Sequence, residues 1–64
     1  MLYRIECLKK DGSLIYALET TCFYQARAHY WGAEVNPEIA EVVYKLDRHD
    51  GKGMQELGRR TINH

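Results

Sequence analysis

The 64-residue sequence has few cysteines that could cross-link a very small domain and no long apolar run that could anchor it in a membrane. Its two cysteines, Cys7 and Cys22, are too few for a disulfide scaffold. No run approaches the roughly 20 apolar residues that a membrane span needs, and the first residues lack the basic start and apolar run of a signal peptide. These absences predict a cytoplasmic protein with reduced thiols and no membrane partner.

Charge of one sign and catalytic motifs are also lacking. Nine basic and nine acidic residues cancel, so the net charge does not indicate a strongly charged partner. There is no G-x-G-x-x-G or P-loop pattern, and neither the cysteines nor His29, His49 and His64 have the spacing of zinc ligands. We therefore expect no enzyme activity, no cofactor and no metal site.

A β-hairpin is predicted at the start of the chain, because Asp11-Gly12 lies between two apolar runs. A two-residue loop at this point would fix how the two strands pair. The predicted pairs are Lys10 with Ser13, Leu8 with Ile15, Cys7 with Tyr16, Ile5 with Leu18, Arg4 with Glu19 and Tyr3 with Thr20.

A short helix is predicted over the aromatic stretch that follows the hairpin. Thr20 or Thr21 is expected to cap its first turn, and Gly32 is expected to end it in the left-handed conformation. Helical periodicity groups one set of residues into a core stripe: Cys22, Phe23, Ala26 and Tyr30.

The third strand is predicted from Glu38 to about Leu46, where apolar and polar residues alternate. The order of elements indicates an α+β domain in which a three-stranded antiparallel sheet (β-β-α-β) carries one helix on one face, with the first strand in the middle. The back of the sheet would expose an apolar patch of Leu8, Ile15, Ala17 and Val43. The ordered core of this single domain is expected at residues 2–47, followed by a tail at 48–64. In this tail, which the pattern leaves irregular or helical, "MQEL" fits one helical turn and "GRRTINH" is either mobile or a short edge strand.

The candidate binding residues lie outside the core stripe of the helix. Tyr24, Arg27 and Trp31 fall on its outer side, and these residue types are enriched in interface hot spots. They favour a docking face for a protein partner, although an equally open alternative is that Trp31 folds onto Val35 and the following loop.

A second binding hypothesis involves the mildly basic tail. Lys52, Arg59 and Arg60 would bind phosphates while exposed aromatic rings stack on bases, which is the alternative function of a small nucleic-acid-binding protein. The neutral total charge favours a protein partner instead. Homodimerisation through the apolar sheet back or an open sheet edge is a further possibility.

Three segments together resemble, at the level of topology, small phage-encoded proteins that shut down host machinery. The segments are the hairpin "IECLKKDGSLIYALE", the helix "FYQARAHYWG" and the returning strand "EIAEVVYKL". The phage proteins include coliphage inhibitors of bacterial RNA polymerase and anti-CRISPR proteins. The resemblance implies a non-enzymatic inhibitor or modulator of a larger bacterial protein or nucleoprotein complex, acting in the host cytoplasm.

Overall fold

A computed structural model describes residues 1–33, 36–48 and 53–63. The elements in chain order are β1 (Leu2–Leu8), β2 (Leu14–Thr20), α1 (Phe23–Gly32), β3 (Glu41–Asp47) and β4 (Met54–Thr61). The strands form one antiparallel sheet in the order β2-β1-β3-β4, and α1 packs on one face of it, chiefly against β1 and β2. Within the described ranges, the ten-residue α1 is too short to cross a membrane.

The α+β class, the antiparallel sheet and the place of β1 between β2 and β3 are confirmed, but the number of strands is four and not three. Residues 54–61 pair along β3, so a helical turn at "MQEL" is wrong, whereas the alternative of an edge strand in "GRRTINH" is confirmed for residues 58–61. This strand is polar because it lies at an edge of the sheet, where charged side chains discourage further pairing. The open edges therefore belong to β2 and β4. The "DGKG" stretch at residues 50–53, whose composition is typical of a turn, lies mostly outside the described residues.

The hairpin register is confirmed from Tyr3 with Thr20 through Cys7 with Tyr16 and changes nearer the turn. A bulge shifts the pairing so that Leu8 faces Leu14, which makes the predicted pairing of Leu8 with Ile15 wrong. The connection also holds one residue more than expected: the Lys9 N–H donates to the Ser13 carbonyl (2.8 Å) and the Gly12 N–H to the Lys9 carbonyl (2.9 Å). Gly12 has a φ of 88°, the left-handed conformation that such a three-residue loop requires.

The two ends of the helix differ from their predictions. The Thr20 hydroxyl accepts a hydrogen bond from the Cys22 N–H (3.1 Å), but Cys22 itself is the N-cap and gives no side-chain cap. At the other end the helix runs through Gly32 to a right-handed C-cap at Ala33, so the predicted left-handed glycine is wrong. This continuation carries Ala33 into the core.

The core between helix and sheet is built from aliphatic strand residues and small helix residues. Its buried members are Ile5, Cys7, Ala26, Ala33, Ile39 and Val42, with Tyr30 partly buried against them. Cys22 and Phe23, both predicted to be buried, are exposed, and 46% of Phe23 is open to solvent. Periodicity identified the side of the helix, but Phe23 in the first turn extends past the covered part of the sheet.

The back of the sheet carries ion pairs in place of the predicted apolar patch. Arg4 donates to Glu6 (2.8 Å) and to Glu19 (2.7 Å), while Lys45 Nζ lies 2.9 Å from the second oxygen of Glu6. These long side chains shield Val43, which lies opposite Glu6 in the register and is fully buried. The predicted patch of Leu8, Ile15, Ala17 and Val43 is therefore wrong: Val43 is covered and the other three are half-buried.

Glu6 joins these ion pairs, and we expect its contribution to stability to depend on pH. The hydrogen bond from Arg4, and then that from Lys45, lowers the pKa of Glu6 below its ordinary value of 4.5. A carboxylate whose pKa is lowered by folding stabilises the native state above the ordinary pKa and loses that contribution as the pH falls through the folded-state value.

We predict that Glu6→Gln lowers the free energy of unfolding by about 1 kcal/mol at neutral pH. The difference from wild type should shrink as the pH falls below 4.5, because the carboxylate is then protonated in both states. Urea titrations at neutral pH and below 4.5 measure this difference in the free energy of unfolding. Glu19→Gln, at a half-exposed residue, is the control and should have a smaller effect. A deficit that stays constant with pH would contradict the role assigned to the Glu6 charge.

Candidate functional site

The outer side of α1 presents the three predicted docking residues to solvent. Tyr24 is 79% exposed and Trp31 is 55% exposed, and Arg27 between them is also exposed. The helical spacing therefore predicted their accessibility correctly. Their participation in binding stays a prediction.

Trp31 contacts β4 through the side chain of Arg60. The guanidinium carbon of Arg60 lies 4.7 Å from the ring centroid of Trp31 and 5.6 Å from that of Tyr30, both within cation–π range. The same guanidinium donates to the Tyr30 carbonyl (2.5 Å), one of the last carbonyls of the helix, where a cation is favoured by the helix dipole. Arg60 therefore connects the end of α1 to β4. Val35, the alternative neighbour of Trp31, lies outside the described residues.

Arg59 and Arg60, two of the three proposed phosphate ligands, lie on opposite faces of the sheet. Successive residues of a strand point to opposite faces, so Arg60 reaches the helix while Arg59 lies on the back of the sheet. There Arg59 pairs with Glu41 and with Glu56, the latter at 2.7 Å. Lys52, the third proposed phosphate ligand, lies outside the described residues.

An apolar groove between α1 and β4 was not anticipated from the sequence. It consists of two adjoining hollows of about 360 and 620 Å³ that share Phe23, Tyr44 and Leu57 in their linings. Leu57 is 44% exposed and stands where the β3–β4 register shifts, opposite no single residue of β3. This bulge was not predictable from the sequence, because "MQEL" also fits a helical turn, in which Leu57 would have a different local geometry.

The floor of the groove is a cluster of aromatic rings. The Tyr44 ring lies 5.9 Å from Tyr3 and 5.6 Å from Tyr30, and Phe23 packs edge-on against Tyr3 at 6.0 Å between centroids. A Cβ atom at position 58 would lie 3.2 Å from the Tyr30 hydroxyl, so Gly58 lets that ring extend over β4. Burial raises the pKa of Tyr44, whose hydroxyl has no hydrogen-bond partner within the described part of the chain.

The charges along the groove are of one sign. Arg27 lines the smaller hollow and Arg48 lines the larger one, whereas no Asp or Glu is among the described lining residues of either. Carboxylates instead take part in the ion pairs on the back of the sheet: Glu6, Glu19, Glu41 and Glu56. The described residues also contain no group of three His, Cys, Asp or Glu side chains placed to hold a metal ion.

Comparison of the chain with protein families, with curated proteins and with solved structures finds no match. What can be inferred about function therefore depends on the surfaces of the molecule itself.

Proposed function

We propose that this protein is a non-enzymatic protein-binding module that inhibits or modulates a larger bacterial protein or nucleoprotein complex, in the manner of small phage-encoded inhibitors such as anti-CRISPR proteins. Its binding surface is the outer side of α1, defined by Tyr24, Arg27 and Trp31, together with the adjoining groove. The host cytoplasm is the proposed place of action.

The observation that carries the proposal is the exposure of large aromatic side chains on one rigid element. A helix that holds Tyr24 and Trp31 open to solvent on either side of Arg27 offers the residue types that dominate interface hot spots. These rings have few rotatable bonds and the helix is already formed, so docking sacrifices little conformational freedom. The apolar groove extends this surface toward β4, and such exposed apolar areas commonly mark interaction sites.

The alternative, a small nucleic-acid-binding protein, has less support. It assigned phosphate binding to Arg59 and Arg60, but their guanidinium groups lie on opposite faces of the sheet and both have partners within the chain. A phosphate would have to displace carboxylates from Arg59. The neutral net charge also provides little of the electrostatic attraction on which such binding depends.

Affinity capture tests the proposal when it compares folded variants rather than wild type alone. The immobilised protein is exposed to a bacterial lysate beside Tyr24→Ala/Trp31→Ala, and retained proteins are identified by mass spectrometry. We expect a protein that wild type retains and the variant loses, with the amount unchanged after nuclease treatment. Retention that depends on nucleic acid, or that is equal for both baits, would contradict the proposal.

Homodimerisation is a second proposal for the open edges of the sheet. Both β2 and β4 pair on one side only, and β2, whose one charged residue is Glu19, has the edge better suited to pair with a strand of another copy. A domain this small gains stability by covering such surfaces. We predict a sedimentation coefficient that rises with concentration into the high micromolar range. A constant monomer mass over that range would contradict homodimerisation and leave the edges to another partner.

A further inference from the structure

We propose that the groove between α1 and β4 binds an acidic amphipathic segment of the partner protein, whose apolar side chains enter the groove while its carboxylates pair with the arginines beside it. This inference rests on the proposed function and names the chemistry of the partner at the same surface. Helices that insert an apolar face into a groove are a common mode of recognition.

Unfilled space between helix and sheet makes the groove a site for apolar side chains. Because α1 packs chiefly on β1 and β2, the part of the same face above β3 and β4 is covered incompletely. Phe23 and Leu57 stand on the two sides of this opening with nearly half of each exposed, above the ring of Tyr44. Each hollow falls in the volume range of protein binding sites, about 300–1,000 Å³.

The described lining of the groove carries positive charge and no carboxylate, whereas the back of the sheet carries charges of both signs in ion pairs. Arg27 and Arg48 stand at different positions along the groove. The carboxylates of Glu6, Glu19, Glu41 and Glu56 form their ion pairs on the far side of the sheet, away from this lining. A ligand in the groove would meet apolar walls and positive charge, which is complementary to an acidic segment with an apolar stripe.

A protein segment fits this surface better than a nucleic acid does. Leu57, Leu46 and Met1 contribute aliphatic surface beside the aromatic rings, and aliphatic side chains match a Leu or Phe stripe rather than the flat face of a base. The cations are also few and spread out, whereas a nucleic acid backbone would need a continuous positive track.

Two synthetic helical peptides, each about four turns long, test the inference directly. Both carry the same Leu and Phe stripe; one has Glu on its polar face and the other has Lys. Neither contains tryptophan, so Trp31, the only tryptophan of the chain, reports binding at the groove by its fluorescence. A single-stranded oligothymidine is titrated in parallel.

The expected result is that the Glu peptide binds at least about tenfold more tightly than the Lys peptide, through attraction to the arginines. Equal affinities, or no change in Trp31 fluorescence with either peptide, would overturn the inference. Tighter binding of the oligothymidine than of the Glu peptide would also overturn it, in favour of a nucleic acid ligand.

Charge-reversing variants locate the site. We expect Arg27→Glu to lower the affinity for the Glu peptide by about fivefold and to raise the affinity for the Lys peptide. Arg48→Glu should change both affinities in the same directions. Lys10→Glu makes the same change of charge in the exposed β1–β2 loop and should alter neither affinity beyond about twofold. Similar effects from Arg27→Glu and Lys10→Glu would show that the peptides sense net charge only and would overturn the assignment to the groove.

Failure of this inference is distinguishable from failure of the proposed function. If the captured protein depends on Tyr24 and Trp31 but the Glu peptide does not bind, the acidic segment is wrong and the docking role stands. If capture is unaffected by the double substitution, the docking role of the helix is itself contradicted.

Discussion

Tyr30→Ala is expected to lower the free energy of unfolding by about 3 kcal/mol, a larger loss than that predicted for Glu6→Gln. The Tyr30 ring lies 5.6 Å from Tyr44 and 5.2 Å from Trp31, and the guanidinium of Arg60 packs over it. Its removal opens a cavity at the junction of α1, β3 and β4, which the neighbouring rings fill only in part. Urea titration followed by circular dichroism measures the loss.

Tyr24→Ala is the matched control, because it removes the same side chain from the exposed side of the same helix. Tyr24 is mostly solvent-exposed and has only an edge contact with Phe23, at 5.7 Å between centroids. Its replacement should change the free energy of unfolding by no more than about 0.5 kcal/mol. Similar losses of unfolding free energy for the two variants would mean that α1 is rotated about its axis and that Tyr24 is not on its exposed side.

Much of the sheet was predictable because its determinants are local in sequence. The Asp11-Gly12 turn and the apolar alternation together predicted the strand pairs from Tyr3–Thr20 to Cys7–Tyr16. The bulge beside Leu8 was not predictable, because two-residue and three-residue loops are compatible with the same Asp-Gly signal. Such a one-residue difference changes pairing only near the turn, so the core face was still identified.

The fourth strand was foreseen only as an alternative for the end of the tail, because its stability comes from its neighbour rather than from its own pattern. β4 is polar along most of its length and contains Gly58. This composition resembles that of an irregular tail rather than that of a strand. Its partners are the β3 backbone, Glu41 on the back through Arg59, and the helix end through Arg60. The two arginine contacts join residues 18 and 30 positions apart in sequence, so no short-range signal encodes them.

For the candidate site, the sequence predicted which helix residues are exposed but not what surrounds them. Periodicity separated Tyr24 and Trp31 from Ala26 correctly and placed Phe23 on the wrong side of the boundary. The groove depends on where the helix sits across the sheet and on the bulge at Leu57, which are properties of the assembled fold. The sequence therefore predicted which residues of α1 are exposed, but it did not predict the adjoining groove.

The second large effect is expected for Tyr24→Ala/Trp31→Ala on binding. We predict that the free energy of binding to the captured target falls by at least 2 kcal/mol, or about thirtyfold in affinity, because both rings are hot-spot types on a preformed helix. Trp31 also contacts Tyr30 and Arg60, so the variant must first show the circular dichroism spectrum and cooperative unfolding of a folded protein. Tyr16→Ala removes an exposed ring on β2 and serves as the control that should retain affinity.

The most direct test of docking through the helix is calorimetric titration of the captured target with wild type, Tyr24→Ala/Trp31→Ala and Arg59→Gln/Arg60→Gln at low and moderate salt. The arginines are tested by substitution and not by truncating the chain after Gly58, because the truncation would also remove the paired end of β4. We predict that the aromatic variant loses at least about thirtyfold in affinity, that the arginine variant retains most of it, and that salt has a small effect. Retained affinity in the aromatic variant, with a large loss in the arginine variant and a steep salt dependence, would contradict docking through the helix in favour of nucleic acid recognition.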